Sequence, residues 1–164
     1  FIRWVDGLTE AIGRSVSWLV LAMTAVTCLV VVLRYGFSVG SIALQESVIY
    51  LHGLVFMLGI PYALKHDAHV RVDVLYGRMT PRQQARVNIL GHCLFLVPLA
   101  SFIIYVSWSY TARAWRIFEG SPEVGGIPLV FLLKTLIPVL GALLLLQGLA
   151  ELAKQVKILR SLRA

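Results

Sequence analysis

Residues 15–33 read SVSWLVLAMTAVTCLVVVL, nineteen residues without an acidic, basic or histidine side chain. The whole chain has 164 residues, of which 59% are hydrophobic and 14% charged, with a mean hydropathy of +0.82. Soluble domains carry roughly 25% charged residues, so this chain lacks the polar surface that water would require. A bilayer removes that requirement. A spanning helix needs about 20 mainly apolar residues, and residues 15–33 meet that description with no interruption.

Three further runs have the same character: residues 42–64 (IALQESVIYLHGLVFMLGIPYAL), 87–110 (VNILGHCLFLVPLASFIIYVSWSY) and 127–149 (IPLVFLLKTLIPVLGALLLLQGL). Barrel strands would alternate over about ten residues, and these runs do not. The expected fold is therefore an all-α membrane protein, a single four-helix domain over 1–164. No apolar run ends in a small-residue cleavage site, so no signal peptide is expected. Cys28 and Cys93 lie far apart within apolar runs, where a cysteine behaves as a small hydrophobe.

Lysine and arginine placement sets the expected orientation. Arg3 and Arg14, then Lys65, Arg71, Arg78, Arg82 and Arg86, then Lys154, Lys157, Arg160 and Arg163 fall on one side of a four-span chain. Arg34, Arg113 and Arg116 fall on the other, and Lys134 lies inside the fourth span. Both termini are thus expected in the cytoplasm. The same bias accounts for the net charge of +7 without a nucleic-acid partner.

The flanks refine the picture. In residues 1–14, Trp4, Leu8 and Ile12 recur every four residues, with Arg3, Asp6 and Glu10 largely off that face. This pattern predicts an amphipathic helix lying in the cytoplasmic interface. Residues 150–164 read as a cytoplasmic tail. Thr80, Pro81 and Gln83 carry the signature of a capped helix start. SPEVGGIP, residues 121–128, reads as an outer Gly/Pro loop.

Ionisable groups inside a bilayer need a partner or a function. Glu46 sits about 6 Å and Lys134 about 10 Å below the outer face at 1.5 Å per residue, so an interhelical Glu46–Lys134 pair is expected. His52 and His92 raise the possibility of haem ligation, but their depths differ by roughly 10 Å, and helix-packing histidines are the better reading. His66 and His69, with Asp67 and Asp73 nearby, lack a third and fourth ligand for a metal. No nucleophile or phosphate-loop motif appears, so no enzyme activity and no cofactor are expected. Pro61, Pro98 and Pro138 interrupt three spans, and each can kink its helix.

Several stretches resemble one family. RYGF after the first span, LQE opening the second and LKHDAHVRVDVLY following it are similar to the small membrane subunit (DctQ-like) of tripartite ATP-independent periplasmic (TRAP) transporters. SPEVGGIPLVFLLKTLIPV and LQGL extend the resemblance through the fourth span. Its most specific element is His69, Arg71 and Asp73, in the cytoplasmic elbow. The family's paired acids near the second-span start are represented by Glu46 alone, so no role for a pair is carried over.

The resemblance implies a prokaryotic inner-membrane secondary transporter. A periplasmic binding protein captures an organic anion, commonly a carboxylate. A large membrane subunit holds the substrate and sodium sites and moves as an elevator. The small subunit braces it as a static scaffold and helps dock the binding protein. Arg34, Arg113, Arg116, Glu119 and Glu123 are the docking candidates by side and polarity, and membrane lipids are the remaining partners. Two competing readings are an autonomous proton-coupled transporter using Glu46 and a membrane cytochrome anchor.

Overall fold

The computed structural model describes residues 1–68 and 76–161. Helix α1 spans Ile2–Gly36, α2 Ile42–Lys65, α3 Pro81–Gly91, α4 Val97–Arg116 and α5 Val130–Ser161. A π-helical turn, His92–Leu96, joins α3 to α4 in one rod over Pro81–Arg116. Among the described residues four helical rods are long and apolar enough to cross a membrane.

Local chemistry explains the helix starts. The Ser41 hydroxyl accepts from the Leu44 amide and opens α2. Thr80 opens α3 with the expected box: its hydroxyl accepts from the Gln83 amide, and the Gln83 side chain accepts from the Thr80 amide. Pro81 takes the first helical position, where a missing N–H is harmless. The π turn was not expected from the sequence. It ends two residues before Pro98, with the Val97 amide bonded back to the His92 carbonyl. The wider turn makes room where a proline ring would clash with the preceding turn.

Helix α5 is the hub. Helix α1 packs on α2 and α5, α2 packs on α5, and the α3–α4 rod packs on α5. Small residues make the close approaches, as is usual where packing rather than water drives association. The buried stripe of α4 is Ala100, Ser107, Thr111 and Ala114. It meets α5 at Gly141, where a Cβ would come within 3.1 Å of the Ala100 carbonyl oxygen. A Cβ on Gly13 would run into the ring of Tyr62, where α1 crosses α2.

The N-terminal segment differs from expectation. Residues 2–14 are the first turns of a continuous 35-residue α1, with no break before the span. At 1.5 Å per residue α1 is about 52 Å long against a hydrocarbon core of about 30 Å. The buried stripe is Val5, Thr9, Gly13 and Val16. Trp4 is exposed, while Asp6 and Glu10 turn toward the bundle. Their charges find partners on α2 and α5, which a local four-residue period cannot register.

Candidate functional site

Polar groups gather at the two ends of the bundle. At the end formed by the α4–α5 connection, Glu46 of α2 holds the loop that follows α4. Its Oε1 accepts from the Ser121 hydroxyl and its Oε2 from the Ile127 amide, at 2.6 Å. The loop is already closed on itself, with the Ser121 amide donating to the Ile127 carbonyl. Gly125 has a φ of +82°, a conformation that favours glycine. Gly126 leaves room for the carboxylate, since a Cβ there would collide with Ser121 and crowd Glu46.

The expected Glu46–Lys134 pair is not formed. Lys134 Nζ instead lies 2.7 and 2.6 Å from the two oxygens of Glu119 and 4.1 Å from the centroid of the Tyr110 ring. Depth places Glu46 and Lys134 at similar levels, but depth is one coordinate. Rotation about the helix axis decides the partner. Lys134 faces α4, whose Thr111 hydroxyl bonds the Lys134 carbonyl, whereas Glu46 faces the loop. Of the docking candidates, Arg34, Arg113, Arg116 and Glu123 are exposed at this end, and Glu119 is half-buried against Lys134.

At the end that carries the termini, Gln147 of α5 is fully buried and central. It accepts from the Thr9 hydroxyl at 2.7 Å and donates to Asp6 at 3.0 Å and Glu151 at 2.9 Å. Lys154 donates to the same two carboxylates. Burial pushes the Asp6 carboxyl up, but the bonds from Lys154 and Gln147 outweigh it and leave the group below its ordinary value. Beside this network, Glu10 accepts from Lys65, His66 and Arg14. Those three bonds bring its carboxyl down to about 2. His66 is therefore committed to a hydrogen bond with Glu10. His69, Arg71 and Asp73 lie outside the described residues.

The outer face of α2 is a third feature. Ile42, Gln45, Ile49, His52 and Phe56 are all exposed there. His52 was expected to pack between helices, and it does not. It stacks on Phe56 on the outside of the bundle, with ring centroids 6.1 Å apart. His92 hydrogen-bonds within its own rod, its Nδ1 lying 2.7 Å from the Asn88 carbonyl. The two histidines do not converge.

Four bilayer-length helices, with their charged groups engaged in tying helices and loop together, define an integral multi-pass membrane component. The family model for tripartite ATP-independent periplasmic transporters, DctQ component, matches residues 23–158. The chain belongs to that family, the small permease component of TRAP transporters of the inner membrane. Membership associates it with a large membrane subunit and a periplasmic binding protein. Comparison with curated proteins gave no significant match, and comparison with solved structures gave none either.

Proposed function

We propose that this chain braces the large membrane subunit of a sodium-coupled TRAP transporter for organic carboxylates, as a static element. In this reading both termini lie in the cytoplasm, as the lysine and arginine bias favours. The Glu46-held loop then faces the periplasm, and Arg34, Arg113, Arg116 and Glu123 are available there to the binding protein. The first turns of α1 lie at the cytoplasmic interface.

The position of His52 supports the bracing role. It sits ten residues into α2, about 15 Å deep, which is the middle of a hydrocarbon core of about 30 Å. A polar side chain at that level is costly against lipid and normally faces protein or a cavity. Among the described residues it has no hydrogen-bond partner, so a neighbouring subunit is the natural one. Gln45 on the same face extends the argument.

A photo-activated cross-linker placed at Ile49, beside His52, tests this in the assembled transporter. Adducts with the large subunit are expected, together with loss of co-purification when His52 becomes Trp. Adducts with lipid alone and normal co-purification would overturn the bracing face. Carboxylate uptake driven by sodium is expected of the complete transporter in liposomes and not of this chain alone.

A further inference from the structure

The exposed residues of α2 are Ile42, Gln45, Ile49, His52 and Phe56, spaced by three, four, three and four. Every other residue of α2 is at least partly covered. The next position in the series is Gly59, where an added Cβ would meet nothing within 4 Å. This is the spacing of a heptad seam, which repeats every 3.5 residues rather than 3.6. Its two rows differ in chemistry. Ile42, Ile49 and Phe56 form an apolar row. Gln45, His52 and Gly59 form a polar row that ends in a notch.

The width of this strip limits what can lie on it. Helix α1 closes one flank, where Tyr62 of α2 meets Gly13, and α5 closes the other, where Leu133 lies beside Gly53. On α4 the exposed residues come instead in neighbouring pairs, such as Leu94 and Phe95, Pro98 and Leu99, and Tyr105 and Val106. A broad arc of that kind suits lipid tails. The α2 strip is single-file and carries two polar side chains. Among the described residues neither Gln45 nor His52 has a side-chain hydrogen bond. They lie seven residues apart, about 10.5 Å along the axis. Hydrocarbon offers them no partner, and an acyl chain has no 3.5-residue repeat to match. A second helix can supply both.

We propose that α2 receives one transmembrane helix of the large subunit in a left-handed, knobs-into-holes contact crossing at about 20°. The inference rests on the bracing role and adds the shape and chemistry of what is braced. The partner helix carries an apolar heptad stripe interrupted by two hydrogen-bonding side chains about seven residues apart, one for Gln45 and one for His52. A bulky side chain of that helix fills the notch at Gly59. Polar positions in an otherwise apolar seam fix its register at a cost in stability. Here they fix the depth at which the small subunit sits against the large one. A slip of one turn would set both polar groups against apolar side chains, so the pair of them locks the brace in place.

Photo-activated residues placed singly at Ile42, Gln45, Ile49, His52, Phe56 and Gly59 of the assembled transporter test the seam, with adducts mapped by mass spectrometry. All are expected to reach one helix of the large subunit, with the adducts from 45 and 52 about seven residues apart on it. His52→Leu should weaken subunit association about three- to tenfold, the weight of one interhelical hydrogen bond in a membrane. Exchanging Gln45→Ile together with Ile49→Gln keeps the composition and moves the polar group one turn. It should weaken association by a similar factor, and undiminished association there would overturn the lock. Adducts scattered over several helices of the large subunit would overturn the seam and leave the bracing role standing. Adducts with lipid alone would overturn both. Adducts with a second copy of this chain would assign the face to a homodimer and overturn the proposed partner.

Discussion

Lys134 and Glu119 form a two-pronged ion pair that joins α5 to the chain just beyond α4, with both carboxylate oxygens within 2.7 Å of the ammonium. The Tyr110 ring lies against the same ammonium. This pair fastens the α4–α5 hairpin to itself. Glu46 does a separate task, fastening that hairpin's loop to α2.

The separation can be tested by exchanging charges. Lys134→Glu should lower the melting temperature of the detergent-solubilised protein, and adding Glu119→Lys should restore most of the loss. Adding Glu46→Lys instead should lower it further, because the loop then loses its acceptor as well. Restoration by the Glu46 exchange would contradict the observed pairing.

Glu46→Ala should release the loop and leave the helices intact. Hydrogen exchange at the Ile127 amide should accelerate on the order of tenfold or more, as expected for the loss of a bond to a charged acceptor. Amides in the middle of α2 and α5 should be unchanged. Uniform acceleration across the bundle would mean that Glu46 supports the whole fold rather than the loop.

Gly141 sets the distance between α4 and α5. Gly141→Ala should cost about 1–3 kcal/mol, the usual range for overpacking, because the added carbon would lie 2.7 Å from Ile104 Cγ1 and 3.1 Å from the Ala100 carbonyl oxygen. Gly141→Leu should prevent close packing of the two helices. Denaturation in mixed micelles would measure the first, and a cysteine pair across the α4–α5 contact would report the second.

Gln147→Ala should undock the first turns of α1. It orphans Thr9 and removes a donor from Asp6 and from Glu151, a loss of about 1–3 kcal/mol for buried polar groups left unpaired. A spin label at the exposed Gly7, where no neighbouring atom lies within 4 Å, should become mobile. A label at Thr24 within the span should not.

Acid should loosen the Glu10 contact in a defined window. Its carboxyl is lowered from 4.5 to about 2 in the folded protein by Lys65, His66 and Arg14. A depressed carboxyl contributes its stability above the unfolded value and loses it as pH falls through the folded one. The contribution should therefore be complete above about pH 4.5 and fade toward pH 2. Glu10→Gln should flatten the pH dependence of melting in that window.

The spans were legible because hydropathy summed over twenty residues is insensitive to any single neighbour. The Thr80 cap was legible because all its atoms lie within four residues. The partners of Glu46 and Lys134 were not. Sequence gives depth along a helix, but the direction in which a side chain leaves the axis depends on packing. His52 shows the same limit, since its depth was readable and its outward facing was not. Asp6 and Glu10 looked solvent-facing because their partners sit far away in the chain. The π turn at His92 left no local signal apart from Pro98 nearby.

The network around Gln147 also has a consequence for biosynthesis. Asp6 and Gln147 are 141 residues apart, and Asp6 and Lys154 are 148 apart. At a synthesis rate of about 5–20 residues per second, roughly 7–30 s pass between the appearance of Asp6 and that of its partners. During that interval Asp6 has neither partner, and the first turns of α1 are held only through Glu10, by Arg14 and then by Lys65 and His66 of α2. Helix α5 is thus the one that secures Asp6 of the first helix, and a nascent chain that stops short of it is left with that carboxylate unmatched.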